Sequence, residues 1–156
     1  MRALAETSHD EAGMGVVVRA LGHVVLKVRN LALSEAFYSG ILNLRVVLRI
    51  TDPRMTFFAL ETSGNHHDFA LVELDSVAPL PTHQTTGLAH VAFKIGNSID
   101  EFDSARSVLG ASGTPVLYEA ERGFSRSVHV LDPDGNEIEL YVDVSHERPM
   151  PSPSSY

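Results

Sequence analysis

The 156-residue sequence contains no cysteine and no tryptophan, and its 12 lysine and arginine residues are outnumbered by 20 aspartates and glutamates. The absence of cysteine excludes disulfide scaffolds, thiolate-ligated zinc, iron–sulfur clusters and thiol catalysis. The net charge is −8, and no run of basic residues interrupts the acidic balance. The composition therefore argues against binding to nucleic acid or to an anionic membrane surface.

Long apolar segments are also missing. The longest, residues 16–28, is interrupted by Arg19, His23 and Lys27, whereas a membrane-spanning helix needs about 20 apolar residues. The first fifteen residues carry three acidic side chains and lack the apolar core of an export signal. We therefore expect a cytoplasmic protein that does not enter the membrane.

What the sequence does contain is an internal repeat. Residues 21–28 (LGHVVLKV) match residues 88–95 (LAHVAFKI) position by position, so that His23 aligns with His90. In each copy a helical pattern follows, and in the second copy Ser98 and the glutamate three residues later form a capping box. The apolar stripes of the two predicted helices are Leu33, Phe37, Ile41 and Leu44, and Ile99, Phe102, Ala105 and Leu109.

Three strand-like segments complete each copy, so that each half of the chain predicts a βαβββ module. The fold class is therefore α+β, with two tandem modules whose curved mixed sheets pair and enclose a pocket. The predicted segments are a flexible N-terminal segment (1–18), module one (19–75), a proline-containing connector (76–86), module two (87–144) and a flexible C-terminal tail (145–156).

Strand periodicity places three candidate ligands on the faces opposite the helices. Side chains alternate with a period of two, so His23, His90 and Glu139 lie opposite the apolar positions of their strands. Two imidazoles and a carboxylate suit a divalent ion such as Fe(II), Mn(II), Ni(II) or Zn(II). Because three protein ligands leave positions for a substrate or O₂, the pocket is predicted to be a catalytic metal site.

The paired βαβββ modules, His23 and His90, and residues 132–140 (DPDGNEIEL) resemble the vicinal oxygen chelate superfamily. This superfamily includes glyoxalase I, extradiol ring-cleaving dioxygenases, and the fosfomycin and bleomycin resistance proteins. The resemblance covers about residues 19–144. It implies that His23, His90 and Glu139 bind the metal, which chelates two adjacent oxygens of a small-molecule substrate, and it makes a homodimer a family-level expectation.

The fourth strand of module one leaves alternatives open. Residues 66–71 (HHDFAL) resemble the segment of extradiol dioxygenases with the acid–base histidine. This resemblance implies that His67 moves protons while Fe(II) chelates both hydroxyls of a catechol that reacts with O₂. Alternatively, Glu73 is a fourth ligand, as in glyoxalase I, and the enzyme is an isomerase or lyase acting through an enediolate. We favour the dioxygenase because the longer segment matches it; a metal-free, small-molecule-binding resistance protein is the third alternative.

Four further side chains are predicted at the substrate. His129 occupies the position, ten residues before Glu139, where extradiol enzymes usually have a tyrosine that hydrogen-bonds the substrate. We expect His129 to donate a hydrogen bond or to transfer a proton. The predicted substrate contacts are Phe69, Tyr141 and Arg126, the last as a partner for an anionic group, with a solvated loop arginine as its alternative.

Overall fold

The computed structural model describes residues 15–74, 77–82, 84 and 86–144. Residues 1–14 and 145–156, which belong to the ends predicted to be flexible, lie outside the described residues. No helix in the described part of the chain has the length and apolar character needed to span a bilayer. In chain order the elements are β1 (Val24–Val28), α1 (Leu31–Glu35), a π-helical turn (Ala36–Ile41), β2 (Arg45–Thr51), β3 (Arg54–Ala59), β4 (Phe69–Glu73), β5 (His90–Gly96), α2 (Ile99–Ser112), β6 (Val116–Glu121), β7 (Ser125–Leu131) and β8 (Glu137–Asp143).

The strands form two mixed four-stranded sheets of the same topology. The order is β1-β4-β3-β2 in module one and β5-β8-β7-β6 in module two. The first strand of each module pairs in parallel with the last, and the other pairings are antiparallel. The predicted α+β fold of two tandem βαβββ modules is confirmed.

The first helical segment begins as predicted, and Phe37, Ile41 and Leu44 of its predicted stripe lie in or against the core. The Asn30 side chain accepts a 3.1 Å hydrogen bond from the Leu33 N–H and caps the helix. Phe37 and Tyr38 are buried, whereas Leu33 is 59% exposed. The prediction that Leu33 belongs to the apolar stripe is wrong because the helix widens at Ala36–Ile41 into a π-helical turn. The additional residue in that turn changes the spacing on which the stripe was based.

The second helix follows its sequence signals at both ends. The Ser98 hydroxyl accepts a hydrogen bond from the Glu101 N–H, and the Glu101 carboxylate accepts one from the Asn97 N–H. At the other end, Gly113 adopts a left-handed conformation with φ of 70°, which a glycine tolerates without steric cost. Phe102 lies on the buried face of the helix, as predicted.

One apolar core lies on the helix-facing sides of both sheets. In β1, Leu26 and Val28 are buried while Val25 is exposed, as expected from the period of two. Phe69 of module one meets Phe93 of module two edge to face, with ring centroids 5.6 Å apart. The modules are therefore packed together through these sides.

The turn between β7 and β8 also connects the modules. Tyr38 donates a 2.9 Å hydrogen bond to the Asp132 carboxylate, and Arg29 forms a 2.8 Å ion pair with Asp134. The other Asp132 oxygen accepts hydrogen bonds from the N–H groups of Asp134 and Asn136. The acidic residues of this turn are thus buried by contacts with the helical segment of module one.

Candidate functional site

The strand face of module two brings together two of the predicted ligands. Glu139 in β8 lies beside β5, where its register partner is Ala92. The Nε2 atom of His90 and the Oε2 atom of Glu139 are 3.2 Å apart. The His90 side chain is 39% exposed and that of Glu139 is 14% exposed. This pair is therefore accessible from the open side of the sheet.

The donor chemistry of this pair fits a divalent ion. Two ligands bound at about 2.1 Å and at right angles lie about 3 Å apart, close to the distance between His90 and Glu139. Among the residues that the structure describes, however, no group of three or more histidines, aspartates or glutamates is arranged to hold an ion. The fit thus extends to two of the three predicted donors, and His23 does not join them in such a group.

The third predicted ligand, His23, lies beside His67 in module one. The two ring centroids are 4.6 Å apart, and Phe57 meets His67 edge to face at 5.0 Å. The Nδ1 atoms of His66 and His67 are hydrogen-bonded at 2.6 Å. Partial burial, followed by the charges of His66 and His23, lowers the pKa of His67 from its usual value. The predicted acid–base histidine and the predicted ligand are therefore neighbours.

Asp68 holds the segment that carries His67. The predicted fourth strand begins only at Phe69, so His67 precedes the strand. The Asp68 carboxylate accepts hydrogen bonds of 2.7–2.8 Å from the Leu60 N–H, the Ser63 hydroxyl and the Asn65 amide. Burial opposes ionisation of Asp68, but these hydrogen bonds outweigh it and lower the pKa of the carboxyl group. A charged Asp68 therefore organises the loop beneath His67.

Glu73, the alternative fourth ligand, is engaged elsewhere. One of its carboxylate oxygens accepts a 2.9 Å hydrogen bond from the Leu31 N–H at the start of α1, and the other pairs with Arg54. In the parallel pairing of β1 with β4, Glu73 is opposite Val28. It therefore lies at the end of β1 remote from His23, and its carboxylate serves the helix and the sheet edge.

His129 lies within the face and not at its surface. Its ring is 1% exposed and stacks on Tyr118 with centroids 4.1 Å apart. Its Nδ1 atom is 2.8 Å from Glu137 Oε1, and its Nε2 atom is 3.6 Å from Glu139 Oε1. The sequence predicts that His129 donates a hydrogen bond to the substrate or transfers a proton. In the structure its ring is buried between the carboxylates of Glu137 and Glu139.

Glu137 and Tyr118 belong to the same network, although the sequence predicts no role for Glu137. The Tyr118 hydroxyl donates a 2.6 Å hydrogen bond to Glu137. That bond is the main cause of the raised pKa of Tyr118, about 12, and of the lowered pKa of Glu137. The sequence signal that could have identified Glu137 is strand alternation, because Glu137 and Glu139 share a face of β8.

The predicted substrate contacts separate in the structure. Phe69 is in the core, 1% exposed. The Arg126 guanidinium lies over the Phe102 ring at 4.5 Å, on the helix side of the sheet. Tyr141 is half-buried, two residues from Glu139 on the same face of β8. Of the three, only Tyr141 lies on the side of the predicted ligands.

A cavity of about 800 Å³ adjoins the module-two face. His90, Tyr118 and Glu137 line it, together with the connector residues Leu80 and Pro81. Its volume is within the range of small-molecule sites. A second cavity, of about 890 Å³, lies between α2 and the π-helical turn and is lined by none of the predicted site residues.

The sequence also matches the family model of the Glyoxalase/Bleomycin resistance protein/Dioxygenase superfamily over residues 20–140. The chain belongs to this superfamily. The resemblance to vicinal oxygen chelate proteins is thereby confirmed.

Two curated relatives are dioxygenases by name. Biphenyl-2,3-diol 1,2-dioxygenase 3 of Rhodococcus globerulus is 33% identical over 131 residues, which cover 81% of this chain and 65% of the relative. Catechol-2,3-dioxygenase of Bacillus subtilis (strain 168) is 30% identical over 123 residues, covering 79% of this chain and 41% of the relative. The chain thus spans less than two thirds of either relative.

The superfamily is not restricted to one reaction. The structure of lactoylglutathione lyase from Agrobacterium tumefaciens matches with a TM-score of 0.60 and 25% identity, covering 79% of this chain and 92% of that one. Members of the superfamily are mostly enzymes, and divalent metals bind within this fold. The comparisons therefore show the family and its fold, within which members carry out different reactions.

Proposed function

We propose that the protein is a metal-dependent extradiol dioxygenase that cleaves a catecholic ring with O₂. The names of the two curated relatives, both of them dioxygenases of aromatic diols, support this reaction class. The alternative, a glyoxalase I-like lyase, requires Glu73 as a fourth metal ligand. The third alternative, a metal-free binding protein, does not require the pair of possible metal ligands His90 and Glu139.

The observation that carries the proposal is the contrast between His67 and Glu73. His67 lies against the predicted ligand His23, where an uncoordinated acid–base group is needed. Glu73 is occupied by Leu31 and Arg54, so a fourth ligand at that position would first have to break both contacts. The arrangement favours ring cleavage over isomerisation.

We propose His23, His90 and Glu139 as the residues that hold the ion, with Fe(II) as the metal and Mn(II), Ni(II) and Zn(II) as alternatives. A bound divalent iron supplies the Lewis acidity and the redox chemistry of ring cleavage. His90 and Glu139 already have a suitable spacing. In this proposal His23 would be the third residue to hold the ion, beside these two.

Proton transfer is assigned to His67. We assign the ring proton of His67 to Nδ1, as the donor to His66 Nδ1, so that Nε2 is the ring atom that takes a proton from a substrate hydroxyl and returns it to the product. The cavity lined by His90 and Tyr118 has room for an aromatic molecule, and we propose Tyr141, on the same face as Glu139, as a further substrate contact. A homodimer is part of the proposal and is tested by sedimentation of the purified protein.

The test is anaerobic reconstitution of the metal-free protein with Fe(II), followed by O₂-uptake measurements with catechol and 2,3-dihydroxybiphenyl. We expect O₂ consumption that needs both iron and the diol and is lost in Glu139→Gln. Formation of lactoylglutathione from added methylglyoxal and glutathione, without O₂, would instead support the lyase. Reduced, iron-loaded protein that leaves every catechol intact would contradict the dioxygenase assignment.

A further inference from the structure

His129 is a buried side chain next to the predicted metal ligand Glu139. His129 in β7 is the register partner of Tyr118 in β6 and of Glu139 in β8, so the three side chains share one face of adjacent strands. Its neighbours on this face, His90 and Tyr118, are 39% and 48% exposed, whereas His129 is 1% exposed. A buried imidazole needs partners for both ring nitrogens.

Both nitrogens of His129 have such partners. Glu137 Oε1 is 2.8 Å from Nδ1 and also accepts the hydrogen bond of the Tyr118 hydroxyl. A carboxylate only accepts hydrogen bonds, so we assign the ring proton to Nδ1. Nε2 is then an acceptor in the neutral ring, and the Ser127 hydroxyl, 3.3 Å away, donates to it. These contacts fix the plane and the direction of the ring.

The fixed ring borders one oxygen of Glu139. Nε2 of His129 is 3.6 Å from Glu139 Oε1, which is too long for a hydrogen bond and corresponds to packing contact. The other oxygen, Oε2, faces His90 Nε2 at 3.2 Å. The rings of His90 and His129 are nearly perpendicular, with centroids 5.8 Å apart. The carboxylate therefore lies between two imidazoles, of which only His90 is accessible.

We propose that His129 is a positioning residue that orients the Glu139 carboxylate toward His90 and the ion. The inference rests on the proposed role of Glu139 as a metal ligand. The clamp formed by Tyr118, Glu137 and Ser127 holds the imidazole, and the imidazole prevents Glu139 from rotating toward β7. Outer-shell groups that hydrogen-bond a ligand commonly contribute 10- to 100-fold to metal affinity, and the contribution of a packing contact should lie at the lower end of that range.

The probe is Mn(II) alone, titrated into the metal-free full-length protein by calorimetry. His129→Phe keeps a ring on Tyr118 but removes both nitrogens, and we expect it to weaken Mn(II) binding by about 10-fold, the lower end of that range. His129→Gln can still donate to Glu137 and should recover part of the affinity. The visible spectrum of the Co(II)-loaded protein should also change in His129→Phe, because the geometry of the Glu139 carboxylate changes.

Val128→Ala is the matched control. Val128 is the neighbouring residue of β7, is fully buried and faces the opposite side of the sheet. Its truncation lowers the stability of the same strand without touching the clamp, so the Mn(II) affinity should remain that of the wild type. Should His129→Phe fail to fold, Glu137→Gln weakens the clamp from its outer side and should weaken Mn(II) binding.

Two results would overturn the inference. One is unchanged Mn(II) affinity in folded His129→Phe, or in Glu137→Gln if it replaces that variant. The other is an equal loss in the His129 variant and in Val128→Ala, which would make His129 only a structural residue. A wild-type protein that binds no Mn(II) would contradict the proposed metal site itself and this inference with it, so that the two failures are distinguishable.

Discussion

Tyr38 of module one donates a 2.9 Å hydrogen bond to Asp132 of module two. Both side chains are buried, Tyr38 completely. Burial, together with the charge of Asp132 and the hydrogen bond itself, raises the pKa of Tyr38, so the hydroxyl keeps its proton and remains a donor. The DPDGN turn, which carries part of the family resemblance, therefore has a physical function in joining the two modules.

Tyr38→Phe should lower the free energy of unfolding by about 1.5–3 kcal/mol, because it removes a buried hydrogen bond to a charged acceptor. Chemical denaturation measures this change. Tyr118→Phe is the control, since it removes the same type of bond to Glu137 from a half-exposed side chain and should cost less than about 1 kcal/mol. Equal losses in the two variants would argue against the special importance of the Tyr38–Asp132 contact.

Glu73→Ala separates the two metal-dependent alternatives. It should lower stability by about 1–3 kcal/mol, because the Leu31 N–H and Arg54 lose their charged partner, and it should leave the number of bound metal ions unchanged. Glu139→Ala should instead reduce the number of bound metal ions. Loss of the metal in Glu73→Ala, measured by elemental analysis of reconstituted protein, would favour the glyoxalase-like alternative.

His67→Gln should retain the metal and lower the rate of catechol-dependent O₂ uptake by about 100-fold or more, which is the contribution expected of a general acid–base group. His66→Gln is the matched control, because it removes the neighbouring imidazole of the same loop while the glutamine amide can still accept the hydrogen bond of His67 Nδ1. It should have a much smaller effect on kcat. A His67→Gln variant with wild-type kcat would remove His67 from the proposed mechanism.

The loop that carries His67 should lose stability in acid. Because hydrogen bonds lower the pKa of Asp68 in the folded protein, its ionised form stabilises the fold above the pKa of the unfolded state, about 3.9. This contribution is lost as the pH falls through the folded-state pKa. We expect the stability difference between wild type and Asp68→Ala to be largest near pH 7 and to shrink below about pH 4. A pH-independent difference would contradict the assignment.

The parts of the fold that could be predicted from the sequence are those set by local periodicity. Alternation places Leu26 in the core, and it places His90 and Glu139 on the side of their sheet that faces away from the core. This placement does not depend on contacts with the other module. The capping box at Ser98 and the glycine at 113 are likewise short-range signals. Such features depend on contacts within a few residues.

The remainder depends on contacts between distant parts of the chain. The ion pair of Arg29 with Asp134 joins residues 105 positions apart, and no local pattern encodes it. The burial of His129 follows from Tyr118 and Glu137 on two other strands. The association of His23 with His67 also depends on distant parts of the chain. Alternation assigns each residue to a face but does not determine which side chains lie beside it.

Oxygen incorporation tests the central claim most directly. Iron-reconstituted protein is supplied with 2,3-dihydroxybiphenyl under ¹⁸O₂, and the mass of the product is measured after brief turnover, with correction for exchange with water. Our account predicts ring-opened product that carries both atoms of one O₂ molecule and does not form in Glu139→Gln. Fully reduced, iron-loaded protein that yields no labelled product would contradict it.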